Sequence, residues 1–264
     1  MQKLEERETV TLVNQGEKIF GVLHRPIQTD TKTPAVLICS GFAGNKAGKF
    51  RLFVRLAQEL AKMGIATLRF DYRGAGDSEG DYKDLTLEGN VSDALTCLKF
   101  LADDVQIDHS RIGILGRSLG GVVSILTAKR YQNIKSLVLW APVFNSNHWK
   151  ALWDSFQSNR LDTSQKQEVQ SLPAGIPNAC FLKEFFQLKL QEELSYLKEV
   201  PLLHIHAEQD VVVSGEHEQA YRQERHLLEN SRFIKLANSD HDFSHFPDQD
   251  LAIKETCEWF QQTL

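Results

Sequence analysis

The chain has 264 residues, 42% of them hydrophobic and 25% charged, with a formal net charge of −5. This length suits one α/β domain with an embellishment, burying about three-quarters of the surface that the unfolded chain exposes. The mildly acidic balance gives no electrostatic ground for binding nucleic acid or an anionic membrane. Met1 to Glu8 form a charge-rich stretch with no apolar export segment and no run of about 18 apolar residues occurs, so the expectation is a soluble, cytoplasmic protein with neither kind of partner.

The predicted elements begin with alternating stretches at Thr9 to Val13 and Lys18 to Leu23, separated by Asn14-Gln15-Gly16-Glu17, which reads as a β-hairpin. Apolar runs too continuous for half-wet strands follow at Ala35 to Cys39, Ala66 to Phe70, Ile112 to Leu115, Leu137 to Trp140 and Leu202 to Ile205. Between them, Phe53, Leu56 and Leu60 with a stop at Gly64 predict one helix, and Leu87, Val91, Ala94, Leu98 and Leu101 predict a second. The alternation implies a doubly wound, mostly parallel sheet with helices on both faces.

The rhythm breaks after Pro142. Residues 143–199 are too long and too aromatic for a simple connection, with Trp149, Trp153, Phe156, Phe181, Phe185, Phe186 and Tyr196 among them. They read as a small helical cap interrupted by the turn Leu172-Pro173-Ala174-Gly175-Ile176-Pro177, leaving 1–142 and 200–264 as the core. The pattern then resumes with a strand, a helix near Glu216 to Leu228, a strand at Arg232 to Leu236 and a final helix from about Asp248, for eight strands in all. Cys39, Cys97, Cys180 and Cys257 are too far apart for a compact zinc site; the first two and the last read as buried small hydrophobes, and Cys180 is unassigned.

The chemistry centres on Gly116-Arg117-Ser118-Leu119-Gly120, which follows a strand run and opens a helix. This is the pattern of a nucleophile elbow, whose flanking glycines allow the crowded turn around the serine. A serine hydroxyl attacks a carbonyl only with a nearby imidazole, a carboxylate to fix that imidazole, and donors for the oxyanion. Loops at the carboxyl ends of strands are where such groups gather in open α/β sheets. There, His206 to Val213 offers Asp210 as the acid, next to apolar residues that would shield it, with Glu208 as competitor. Asn238 to Ser244 offers His241 as the base, with His245 as nearest rival.

Oxyanion donors are expected from the main-chain N–H groups of Leu119 and of Phe42, the latter in Ser40-Gly41-Phe42-Ala43-Gly44 after a strand. His204 and His206 share a strand face, but no third ligand stands at recognisable spacing, so they read as buried, hydrogen-bonded histidines. The segment Asp71 to Gly80 is Gly-rich, but its glycine spacing is wrong for a dinucleotide loop and it reads as a rigid loop bordering the site.

Together these residues resemble the α/β-hydrolase superfamily, and within it the bacterial cinnamoyl or feruloyl esterase-like carboxylesterases. The resemblance rests on Gly41 to Gly44, Asp71 to Gly80, Gly116 to Gly121, Asp210 to Val213 and Asp240-His241-Asp242-Phe243. It implies nucleophile, acid and base roles for Ser118, Asp210 and His241, and oxyanion-hole amides at Phe42 and Leu119. The family's usual histidine before the oxyanion glycine is Ser40 here, and the usual His or Gln before the nucleophile is Arg117. The expected activity is a serine carboxylesterase on small esters, aryl or hydroxycinnamoyl esters among them, with no metal or organic cofactor. An amidase or peptidase, a thioesterase or acyltransferase, and a non-catalytic receptor on the same scaffold are the alternatives. The oligomeric state is left open.

Overall fold

Gln15 and Gly16 both take positive φ, 51° and 88°, which gives the two-residue turn whose twist matches that of its flanking strands. It joins β1 (Glu5–Asn14) to β2 (Glu17–Pro26) as an antiparallel hairpin. The structure is a computed structural model describing residues 5–27, 31–170 and 177–264, so the turn expected at 172–177 lies, but for Pro177, outside the described residues.

From the hairpin the chain passes through β3 (Thr33–Cys39), α1 (Leu52–Lys62), β4 (Ala66–Phe70), α2 (Leu87–Asp103), β5 (Ile107–Arg117), α3 (Leu119–Tyr131) and β6 (Ile134–Trp140). Among the described residues, four helices follow, α4 (Asn147–Gln157), α5 (Thr163–Gln170), α6 (Ala179–Phe186) and α7 (Leu190–Ser195). The chain ends with β7 (Leu202–Ala207), α8 (Gly215–Arg225), β8 (Ser231–Leu236) and α9 (Phe246–Thr263). The eight strands form one sheet in the order β1-β2-β4-β3-β5-β6-β7-β8, antiparallel at β1–β2 and β2–β4 and parallel elsewhere.

Strand alternation divides the core. Leu37, Ile112 and Ile114 face α2 and α3 on one side, while Val36, Ile38 and Leu115 face α1 and α9 on the other. Both faces are dry, which is why the central strands read as unbroken apolar runs. Strand β5 starts five residues before its apolar run, a start the sequence hides because Asp108, His109, Ser110 and Arg111 carry no strand-like pattern. Helix α8 stops at Arg225 rather than Leu228, and α9 starts at Phe246, with Pro247 supplying a φ already suited to a first turn. Among the described residues, no helix is long and apolar enough to cross a membrane.

Successive connections leave β3 toward β4 and β5 toward β6, in opposite directions along the sheet. The carboxyl ends of β3 and β5 therefore open a crevice, the place where open α/β sheets gather ligands.

Candidate active site

Ser118 sits in that crevice, between β5 and α3, at φ 55° and ψ −123°. A non-glycine residue there carries roughly 1–3 kcal/mol of strain, which the surroundings must outweigh. They do so with the Ser118 N–H donated to the Trp140 carbonyl at 2.9 Å, from a tryptophan buried in the core. The neighbouring glycines are sterically required: a Cβ on Gly116 would lie 2.3 Å from the Gly120 carbonyl oxygen, and one on Gly120 would lie 2.2 Å from that of Cys39.

The structure brings Ser118, His241 and Asp210 together. His241 Nε2 lies 3.1 Å from Ser118 Oγ, and His241 Nδ1 lies 2.7 Å from Asp210 Oδ2. An ionised carboxylate only accepts, so Nδ1 carries the proton and Nε2 is left to accept from the hydroxyl. The Asp210 side chain is buried in the loop after β7, and its Oδ1 accepts the N–H groups of Val212 and Val213 at 2.9 and 2.8 Å.

One expectation about that loop needs correction. Val211 and Val212 are 91% and 52% exposed, so of the three valines only Val213 shields the acid. The loop turns its amides inward to the carboxylate, and this sends the first two side chains outward. The rivals stand apart: Glu208 is exposed, and His245 faces Asp248 at 3.4 Å.

His241 is held from behind by Phe243, fully buried at φ 55° and packed on Trp140 at 5.8 Å between ring centroids. The Phe243 carbonyl accepts from Gln249 Nε2 at 2.6 Å. Arg117, from the turn itself, donates through Nη2 to the His241 carbonyl at 2.7 Å and to Asp242 Oδ1 at 2.9 Å. The other oxygen of Asp242 pairs with Lys49. Burial alone would raise the Asp242 carboxyl, but the bonds from Lys49 and Arg117 prevail and hold it below its usual range.

The other side of the crevice is the loop after β3. Gly44 N–H closes a turn on the Gly41 carbonyl at 3.0 Å, with Ala43 at φ 53°. Gly41 runs so close to the nucleophile that a Cβ there would sit 3.1 Å from Ser118 Cβ and 3.6 Å from its Oγ. This places the Phe42 amide in the loop beside Ser118, while the Leu119 amide belongs to the first turn of α3, whose N–H groups have no intrahelical partner. The Phe42 ring packs against Tyr82 at 5.9 Å and against Phe181 of α6 at 5.5 Å.

Asp71 supports the loop from below. Buried, it accepts from Lys46 N and Nζ, both at 2.5 Å, and from Asp77 N at 2.9 Å. Gly76 takes φ 56°, and a Cβ there would fall 2.2 Å from the Asp71 carboxylate. The Gly-rich segment thus braces the loop carrying Phe42.

His204 and His206 bond to each other at 3.2 Å between Nε2 and Nδ1, and His206 Nε2 donates to the Val213 carbonyl at 2.8 Å. Burial pulls both imidazoles below their usual range, so the pair is neutral scaffolding behind the acid loop. Among the described residues, no three His, Cys, Asp or Glu side chains converge to hold a metal. Sequence reasoning missed the Arg117–Asp242–Lys49 and Lys46–Asp71 pairs, because nothing in local spacing reports contacts between residues so distant along the chain.

A family model described as serine aminopeptidase, S33, matches residues 30–174. The chain belongs to this S33 family. Relatives matching this S33 chain include an uncharacterized 31.7 kDa protein of Escherichia coli, 33% identical over 40% of this chain and 36% of its own length. The putative hydrolase YtaP of Bacillus subtilis is 29% identical over 52% of this chain and 54% of its own. The chain thus spans about a third to a half of the length of these curated relatives. Among solved structures, Est1E of Butyrivibrio proteoclasticus with bound ferulic acid superposes with TM-score 0.78 at 20% identity, over 96% of this chain and 98% of that one. An esterase of Pyrococcus furiosus superposes with TM-score 0.73 at 19% identity, over 98% of this chain and 91% of that one. The S33 chain therefore has the α/β-hydrolase fold, with the eight-stranded, mostly parallel sheet expected from its sequence.

Proposed function

We propose that this protein is a serine hydrolase cleaving small carboxylic esters through an acyl-enzyme. The observation that carries the reading is the unbroken chain of bonding distances from Ser118 Oγ through His241 to Asp210, at 3.1 and 2.7 Å. Ser118 Oγ attacks the ester carbonyl as His241 Nε2 takes its proton, and Asp210 steadies the imidazolium. The oxyanion is received by the amides of Phe42 and Leu119, each such donor typically lowering the barrier by about 3–4 kcal/mol. The carbon–oxygen bond to the alcohol breaks, and His241 returns the proton to the departing oxygen. Water, activated by the same histidine, then releases the acid and restores Ser118.

Residues 143–199 act in this reading as a cap that contributes the substrate pocket. Phe181 packed on Phe42, with Phe185 and Trp149 beyond it at centroid distances of 5.8 and 5.6 Å, supports an apolar or aryl acyl group. The ferulic acid held by Est1E, a protein of the same fold, is in keeping with such a substrate.

The family description favours a second reading, an aminopeptidase. Asp242, which could otherwise hold the ammonium of a peptide N-terminus, is engaged by Lys49 and Arg117, which supports the ester. Turnover of p-nitrophenyl esters set against aminoacyl-anilides tests the choice. Ester cleavage with inert anilides is expected; the reverse would establish the peptidase.

A further inference from the structure

We propose that Arg117 is a positioning residue for this reaction, a strut that ties the loop carrying His241 to the turn carrying Ser118. The inference rests on the serine-hydrolase reading above and assigns a task to a residue which that chemistry leaves unused.

Among the described residues, the imidazole is tethered by its 2.7 Å bond to Asp210 and by the longer, 3.1 Å contact with Ser118 Oγ, the group it must act on. Its backbone lies in a loop between β8 and α9, where no strand ladder fixes it. Beside the Phe243 anchor, Arg117 adds a constraint from the residue adjacent to the nucleophile, by bonding the carbonyl of His241 itself and the carboxylate of the next residue. Its side chain is only 13% exposed, so these charge-assisted bonds are poorly screened.

Asp242 extends the strut. By accepting from Arg117 on one oxygen and Lys49 on the other, it joins the histidine loop to the stretch that follows the oxyanion loop. The main chain of Arg117 also touches that loop, since its carbonyl oxygen is 3.1 Å from where a Gly41 Cβ would stand. Nucleophile, base and oxyanion donors thus meet at one residue. Misplacement by about 1 Å between reacting groups is enough to cost about a hundredfold in rate.

The test compares Arg117→Met, which keeps the apolar stem and removes the donors, with Arg117→Lys, Asp242→Asn and the Arg117→Met/Asp242→Asn pair. On a p-nitrophenyl ester, Arg117→Met is expected to lower kcat about tenfold to a hundredfold, with KM within about twofold and Tm nearly unchanged. Arg117→Lys recovers part of the loss, and the double variant falls no further than Arg117→Met alone, because the two residues act as one device. Wild-type kcat in Arg117→Met, or losses that simply add in the double variant, would overturn the strut. If Arg117→Met does not fold, Arg117→Lys and Asp242→Asn with their double variant provide the same comparison. Fluorophosphonate labelling of the wild-type protein separates the two claims: no label on Ser118 removes the hydrolase reading and the strut together, whereas a label with unaltered Arg117→Met turnover removes the strut alone.

Discussion

Tyr221 and Arg225, one turn apart on α8, grip opposite ends of the segment inserted between β6 and β7. Tyr221 OH donates to the Val143 carbonyl at 2.9 Å, where the segment leaves the core. Arg225 donates to the carbonyls of Leu197 and Val200 at 2.8 and 2.7 Å, where it returns. One turn earlier, His217 Nδ1 accepts the Phe144 N–H at 2.9 Å. One row of buried side chains at a spacing of four residues thus secures both roots, on the helix that follows the acid loop directly.

Tyr221→Phe removes one donor and strands a buried carbonyl, so a loss of about 1–2 kcal/mol is expected. Arg225→Met strands the buried Val200 carbonyl and also removes the bonds to the Leu197 carbonyl, Ser231 and Asn230, so it should cost more than Tyr221→Phe. Urea denaturation of the two variants checks the order, and an equal or reversed ranking would contradict this account of the roots.

His217 gives the row a pH dependence. Burial pushes its imidazole down to about 4 from an ordinary 6.5, and His204 and His206 are lowered by burial in the same direction. The unfolded chain takes up protons on these residues first as pH falls, so native stability declines from pH 6.5 toward 4 and the His217 contribution levels off below that. For His217 alone the decline is on the order of 3 kcal/mol. Melting temperatures measured across this window should fall with pH, and less steeply in His217→Gln, whose side-chain oxygen can accept from Phe144 without titrating. Identical slopes would place the pH dependence elsewhere.

Gly64 and Gly120 make a matched pair. Gly64 has φ 80° but open space around its would-be Cβ, so Gly64→Ala carries only the cost of a left-handed alanine, roughly 1–2 kcal/mol. Gly120→Ala would drive a methyl into the main chain of β3. It is expected to prevent folding or displace the elbow, with a loss well above that of Gly64→Ala. Denaturation midpoints and yields of soluble protein check the contrast.

Asp71→Asn tests the brace beneath the oxyanion loop. The substitution retains shape but leaves the Lys46 ammonium with the exposed Asp77 as its remaining carboxylate. Turnover of a p-nitrophenyl ester should drop about tenfold or more through displacement of the Phe42 amide, consistent with the sensitivity of oxyanion donors to placement. Unchanged turnover would show that the loop holds itself.

The central strands were legible in the sequence because burial on both faces leaves Ala35 to Cys39 or Leu137 to Trp140 no room for polar residues. Ser118, Asp210 and His241 were legible as candidates because each follows a strand run and because Gly116 and Gly120 mark the crowded turn. The first half of β5 was not, since its polar residues break the pattern on which strand reading depends. The outward valines at 211 and 212 were misread, because a loop organised by amide donors to a carboxylate leaves no hydrophobic signature. Arg117 and Asp242 lie far apart in the chain, and only the folded sheet brings them together.

The most direct measurement is turnover by Ser118→Ala on an ester that the wild-type protein cleaves. The account predicts a loss on the order of a millionfold, with folding intact. A decrease of less than about tenfold would mean that another group is the nucleophile and that the convergence of Ser118, His241 and Asp210 is not the catalytic centre.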